Sequence, residues 1–289
     1  MTRFLTLLPN VESDIALGLE QGAHYVLTGP DGRRASFNDS SDPDHVGFLT
    51  KPPSGFDSPD TRESADVIVE GDGGVHGSFY YGRRPWTLEG MIDPVPRLAG
   101  DEELGVAALV NRRVDRLKRA SRALRGNATL RWTPQGGAGV ELEARRQSIR
   151  ITDRMPKTFL LAMVSSDIRF LSQIVNADAA AGTADLEARN QGNTSAPWTI
   201  TLRNAFTNPV ITNNATGQVL SLSITLVASD ELVIDSRAKT ITLNGDNAYD
   251  VLDFPASDWL DLVAGDNTLS VVGEGSGAAW GITWRDAWD

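Results

Sequence analysis

The sequence predicts a mainly β protein with one inserted α-helix, on three observations. Short runs rich in β-branched and aromatic residues recur along most of the 289-residue chain, and glycine-rich turns separate them. A single stretch, residues 101–125, instead places apolar side chains three and four residues apart. Apolar residues make up 40% of the chain, which is enough for a large buried core.

Residues 1–175 are predicted to form an N-terminal domain built around a sheet. Its strands are expected at residues 66–70, 77–81, 86–92, 129–133, 140–151 and 157–164. Residues 37–65 are rich in Asp, Ser and Pro and show little periodicity, so they are expected to form a long loop or arm.

The predicted helix, residues 101–125, has Glu102 and Glu103 in its first turn and arginines in its last, an order that suits the helix dipole. Seven basic residues and one acid lie between residues 111 and 125. The apolar stripe consists of Ala107, Val110, Val114, Leu117, Ser121 and Leu124. Arg112, Arg116 and Arg119 should lie opposite that stripe. They form either a solvated surface or a docking surface for another subunit or partner.

A run of small residues at 176–185 marks a predicted domain boundary, so residues 176–289 form the second domain. Eight strands are expected there, at residues 186–190, 198–204, 209–213, 219–226, 231–234, 240–243, 268–272 and 279–284. Short strands at such intervals are typical of an antiparallel sandwich.

Cysteine and histidine, which often act as catalytic groups or metal ligands, are absent or rare in this chain. The chain has no cysteine and three histidines, which lie about twenty to thirty residues apart without a ligand motif. No metal, cofactor or catalytic residue is predicted. The chain has 38 acids, so a pair of carboxylates at the separation needed for glycan hydrolysis is expected by chance. Such a pair is therefore no evidence for that activity.

The stretch LVIDSRAKTITLNG, residues 232–245, gathers charged residues around Ser236 and could suggest an active site. Apolar and polar residues alternate on both sides of the charged centre, which predicts two strands of a hairpin. We expect its tip, Asp235 to Lys239, to be exposed, with Asp235 or Arg237 hydrogen-bonding the turn.

Five of the seven tryptophans lie in the second domain. Trp198, Trp280 and Trp284 are expected to point into the core or into a subunit contact. Trp259 and Trp288 are candidate contacts for a sugar or a partner protein.

The net charge of −11 disfavours tight binding to DNA. The first residues contain only a short apolar run, so neither secretion nor membrane insertion is expected, and synthesis in a reducing cytoplasm fits the absence of cysteine.

Several segments, taken in order, resemble the distal tail protein of phages with long, non-contractile tails. The resemblance covers about residues 65 to 289. Its segments are YYGRRPWTLEGMI (80–92), LRWTPQGGAGVELEARRQSIRI (130–151), FLLAMVSSDIRFLS (159–172), residues 208–252 and WGITWRDAWD (280–289).

This resemblance implies a structural virion protein with an N-terminal belt domain and a C-terminal galectin-like β-sandwich. It implies a homohexameric ring at the tail tip that contacts the major tail tube protein, the tail hub or tail-associated protein and the tape-measure protein. DNA would pass through its lumen without specific binding. The alternative is a carbohydrate-binding module for host cell-surface glycans, which the sandwich and its tryptophans suggest.

Overall fold

The computed structural model describes residues 23–56, 61–67, 74–81, 83–97, 99–122, 126–133, 139–182, 184–275 and 277–289. The chain divides into two compact units, Met1–Ile168 and Arg169–Asp289. This division lies a few residues before the boundary expected at residue 175.

The first unit contains nine strands and one helix within its described residues. They are β1 (His24–Thr28), β2 (Arg34–Phe37), β3 (His45–Leu49), β4 (Thr61–Val67), β5 (Gly74–Tyr81), β6 (Arg84–Ile92), α1 (Val106–Ala120), β7 (Ala128–Thr133), β8 (Val140–Ile151) and β9 (Thr158–Ser165). Strands β4 and β5 pair only with each other as an antiparallel hairpin.

Seven of these strands form a closed barrel, in the order β8, β7, β1, β2, β3, β6, β9 and back to β8. Closure depends on the long strand β8, because residues 140–144 pair with β7 and residues 145–151 pair with β9. All pairings are antiparallel except β2 with β3. Helix α1 packs over β2, β3 and β6.

The expectation of a loop or arm over residues 37–65 is wrong in its middle part. Strand β3 lies there, and all five of its residues are buried. A strand buried on both faces lacks the alternation of polar and apolar residues that reveals a strand in the sequence. The end of the segment, from Thr61, belongs to β4.

The helix is shorter than predicted, since it runs from Val106 to Ala120 with Gly105 as its N-cap. Glu102 and Glu103 therefore precede the helix, where residues 101–104 form a turn closed by a hydrogen bond from Leu104 N to the carbonyl of Asp101. The predicted stripe is correct at Val110, Val114, Leu117 and Ser121, but Ala107 is exposed and Arg113 is buried. Leu124 lies outside the described residues.

The second unit is an antiparallel sandwich. Its strands are β10 (Phe170–Ser172), β11 (Asn176–Ala181), β12 (Leu186–Asn190), β13 (Trp198–Arg203), β14 (Phe206–Asn213), β15 (Val219–Ser221), β16 (Glu231–Asp235), β17 (Thr240–Leu243), β18 (Asp246–Asn247), β19 (Gly265–Glu274), β20 (Ala279–Trp284) and β21 (Ala287–Trp288). One sheet has the order β11, β20, β13, β16, β17, β18, and the other has the order β12, β19, β14, β15. Strands β10 and β21 pair with each other. The small residues at 176–181, where the domain boundary was expected, form strand β11.

The core of the sandwich contains the three tryptophans predicted for it. Trp198, Trp280 and Trp284 are all buried, and each indole N–H donates to a backbone carbonyl, of Leu260, Ala184 and Arg189 respectively, at 2.8 to 3.0 Å. Burial of these large rings removes much apolar surface from water, and the hydrogen bonds offset the desolvation of the N–H groups.

Candidate functional site

Helix α1 is fixed to the barrel by a buried arginine. Arg113 is only 3% exposed, and its guanidinium donates to the carboxylate of Asp101 at 2.9 Å and to the carbonyl oxygen of Asp93 at 2.6 Å. A buried guanidinium needs such partners, because an uncompensated charge in the interior is costly. Burial is also the main reason that the pKa of Arg113 is lowered, although Asp93 opposes the shift.

Asp93 is the centre of this network. Its carboxylate accepts hydrogen bonds from His45 Nε2 at 3.2 Å and from Arg97 Nε at 2.9 Å, and from the backbone N–H of Val95 at 3.0 Å. Burial by itself would raise the pKa of Asp93, but these hydrogen bonds and the charge of Arg97 outweigh it, so that the pKa is lowered. The ionised carboxylate therefore ties β3, β6 and α1 together.

The C-terminal end of α1 is capped by a cation from the barrel. Arg146, on β8, donates to the carbonyl oxygen of Lys118 at 3.2 Å and to Ser121 Oγ at 3.1 Å. Positive charge at this end of a helix is stabilising, because the terminal carbonyls carry partial negative charge. The helix is thus held at its middle by Arg113 and at its C-terminal end by Arg146, which fixes the orientation of its outer face on the barrel.

The three arginines singled out in the sequence do not share one environment. Arg112 forms an ion pair with Asp101, and Arg116 forms one with Asp44 at 3.0 Å. Arg119 is exposed and, among the described residues, has no acidic partner. Two further exposed cations, Lys118 and Arg122, are in the same situation. The unneutralised charge of the outer face is therefore concentrated at the C-terminal end of α1.

Trp259, a candidate contact residue, lies half-buried in a cluster of side chains on the second unit. The ammonium of Lys239 sits 4.5 Å from the centre of its ring, and Tyr249 stacks on it with ring centroids 6.5 Å apart. Burial lowers the pKa of Lys239, and the charge of Asp261 opposes that shift. Phe254 extends the cluster from Tyr249, at a centroid distance of 6.3 Å. Sequence reasoning missed Tyr249 and Phe254, because their neighbours show no strand periodicity.

Trp288, the other candidate contact, belongs to β21 and lies opposite Phe170 of β10. It is half-buried. Its role as a contact for a sugar or a partner stays a prediction.

The hairpin predicted around Asp235 is present as β16 and β17. The carboxylate of Asp235 accepts from the backbone N–H groups of Arg237 and Ala238 at 2.8 and 2.9 Å, as expected for a residue that closes the turn. The expectation that the whole tip is exposed is wrong for Ser236. That residue is buried, accepts from Trp198 N at 2.7 Å and donates to Trp198 O at 2.8 Å. Its hydroxyl joins the hairpin to β13 and is not positioned as a nucleophile.

Two general features of the described part of the chain bear on function. Within it, no group of three or more His, Cys, Asp or Glu side chains is arranged to hold a metal ion. Its helix is also too short and too polar to cross a membrane.

Comparisons with known proteins point to one family. Residues 191–288 match the family model of the siphovirus-type tail component, C-terminal domain. The whole chain is similar in fold to the Dit (gp 19.1) protein of phage SPP1, described as a paradigm of the hub adsorption apparatus in phages that infect Gram-positive bacteria. That likeness has a TM-score of 0.63 at 12% identity and covers 91% of this chain and 98% of the other.

A chain of the activated phage p2 baseplate aligns over 90% of this chain and 97% of its own length at 11% identity. Its TM-score of 0.40 is too low to indicate a shared fold by itself. No curated protein sequence matches the chain. The predicted resemblance to distal tail proteins and the mainly β fold with one helix are confirmed. Residues 191–288 thus match a siphovirus-type tail-component domain, and the likeness over 91% of the chain shows a Dit-like fold.

Proposed function

We propose that this chain forms a homohexameric ring at the distal end of a siphophage tail and joins the tail tube to the hub. The observation that carries the proposal is the Dit-like fold, which extends over 91% of the chain and includes both units. The match of residues 191–288 to a tail-component domain supports the same location. The proposed partners are further copies of the chain, the major tail tube protein, the hub or tail-associated protein and the tape-measure protein.

The charge of the chain suits a conduit for DNA. A ring of chains with a net charge of −11 each repels a polyanion overall, so DNA passes without being held. The proposed role is structural and not catalytic.

The outer face of α1 supports self-association. Lys118, Arg119 and Arg122 leave three cations unneutralised on an otherwise acidic protein, and the neighbouring Arg112 and Arg116 add to the positive potential. Such a surface attracts acidic surfaces of other copies and steers their encounter.

The mass of the purified chain in solution tests the proposal. Light scattering should give about six times the 31.2 kDa of one chain, and negative-stain images should show rings. Immunogold labelling of virions should place the protein at the tail tip. Particles labelled along the tube or on the capsid would contradict the proposed location, and a single-chain mass over the whole accessible concentration range would contradict the ring.

A further inference from the structure

Four aromatic rings form a continuous row in the second unit. The ring centroids of Phe254 and Tyr249 are 6.3 Å apart, and those of Tyr249 and Trp259 are 6.5 Å apart. Trp259 in turn lies 6.3 Å from the buried Trp198. Exposure falls along this aromatic row, since Phe254 is 60% exposed, Tyr249 is 36% exposed and Trp259 is half-buried. The row therefore presents rings to solvent at one end and is anchored in the core at the other.

The segment that carries the exposed rings is held in place by β15. The backbone N–H of Asp253 donates to the carbonyl of Ser221 at 3.0 Å, and that of Asp258 donates to the carbonyl of Val219 at 2.7 Å. Leu252 is buried in the core of the sandwich. The rings are thus positioned before any ligand arrives, which reduces the entropy lost on binding.

Hydrogen-bonding groups of both kinds lie around Trp259. The ammonium of Lys239 is 4.5 Å from the centre of its ring. Burial lowers the pKa of Lys239, and the nearby charge of Asp261 opposes that shift. Asp261 also accepts a hydrogen bond from Gln218 at 3.1 Å. An ammonium donates and a carboxylate accepts, so a ligand rich in hydroxyl groups finds both kinds of partner here.

An exposed aspartate stands next in sequence to each of the three outer rings. These are Asp250 beside Tyr249, Asp253 beside Phe254 and Asp258 beside Trp259. None of the three forms an ion pair within the part of the chain that the structure describes. The surrounding residues 246–266 contain six aspartates and no lysine, arginine or histidine. This charge repels nucleic acid and phosphate-bearing polymers, whereas each carboxylate is a strong acceptor for a hydroxyl group.

We propose that the aromatic row is a binding site for a neutral glycan. The C–H groups of a sugar ring pack on the electron-rich face of an aromatic ring, and its hydroxyl groups donate to the carboxylates. Tyr249 and Phe254 lie side by side, so they suit successive sugar units of one chain. Single-stranded nucleic acid also stacks on rows of rings, but it needs a cationic groove, which this segment does not provide.

Calorimetric titration of the full chain with linear hexasaccharides of glucose, galactose, rhamnose and N-acetylglucosamine tests the proposal. At least one of these sugars should bind. Tyr249→Ala and Phe254→Ala should each weaken that binding at least about tenfold, because a stacking contact is lost. Phe254→Leu should weaken it nearly as much, since leucine keeps apolar surface but has no aromatic face.

The matched control is Val272→Ala, at an apolar residue of β19 that is 59% exposed and lies outside the row. It should bind sugar like the unmodified chain. All variants should melt cooperatively at the temperature of the unmodified chain, which separates loss of the site from loss of fold. The proposal is overturned if no hexasaccharide binds, or if the ring variants bind as well as the control.

A basic protein segment is the other ligand that rings and aspartates attract. Hexa-arginine serves as its probe, together with a variant that carries Asp250→Asn, Asp253→Asn and Asp258→Asn. The amides keep acceptor oxygens, so this variant should lose less sugar affinity than either ring variant. Binding of hexa-arginine alone, abolished in the amide variant, would overturn the proposal in favour of a basic partner. None of these results depends on ring assembly, which the mass of the chain tests separately.

Discussion

The two units bury polar groups of different kinds. In the barrel the buried set is mainly ionic, since Asp93, Asp101 and Arg113 form a charged network under α1. In the sandwich the main buried polar side chains are amides. Asn267 donates to the carbonyls of Val263 and Ala188 and accepts from Asn213 at 3.0 Å.

The difference shows how each unit fixes a segment that lies outside its sheets: a helix on the barrel and a loop on the sandwich. A charged network fixes the helix on the barrel strongly, but it leaves a buried charge if one member is lost. An amide can donate and accept at once, so a single Asn satisfies several carbonyls of a loop without any charge. The barrel should therefore depend on charge and acid pH, and the amide sites should not.

The largest effect is expected from Arg113→Met, which leaves Asp93 and Asp101 with fewer positive partners in the interior. We expect the barrel to lose about 3–5 kcal/mol of stability. Hydrogen exchange of peptides from residues 23–168 should report the loss, while peptides from residues 169–289 keep their protection. Arg119→Met, on the exposed face of the same helix, is the control and should change stability by less than about 0.5 kcal/mol. Equal effects of both substitutions would mean that the buried network does not hold the helix.

A smaller effect is expected from Asn267→Ala in the sandwich. The substitution removes one amide and leaves buried carbonyls and the N–H of Val263 without their partner, at a cost of about 1–3 kcal/mol. Urea denaturation followed by tryptophan fluorescence measures it. The cost in stability should be the same at pH 5 and pH 8, because no charge is involved. A cost that changes with pH would contradict the contrast between the ionic network of the barrel and the amide network of the sandwich.

The smallest effect, confined to acid solution, should come from the titration of Asp93. Its pKa is lower in the folded chain than the usual 3.8, so the folded state favours the ionised carboxylate. That stabilisation is present above the pKa of the unfolded state and is lost as the pH falls through the lower folded pKa. Hydrogen exchange of the barrel between pH 5 and pH 2 should show a steeper loss for the unmodified chain than for Asp93→Asn. Parallel curves would show that Asp93 does not contribute.

Much of the sandwich followed from the sequence, because its strands alternate between one buried and one open face. Strands β12, β17 and β20 of the sandwich begin and end where they were predicted, and so does strand β8 of the barrel. The turn at Asp235 also followed from local pattern, since an aspartate reaches the backbone N–H groups of the next residues without help from the rest of the fold.

The tertiary structure alone decided the features that depend on distant neighbours. Strand β3 is buried on both faces, so its residues show no alternation. Arg113 looks like one more cation of a basic helix until Asp93 and Asp101 are placed beside it. Ser236 looks like an exposed turn residue until Trp198 lies next to it. Periodicity records which side of an element faces water, but contacts between residues far apart in the chain arise only when the fold brings them together.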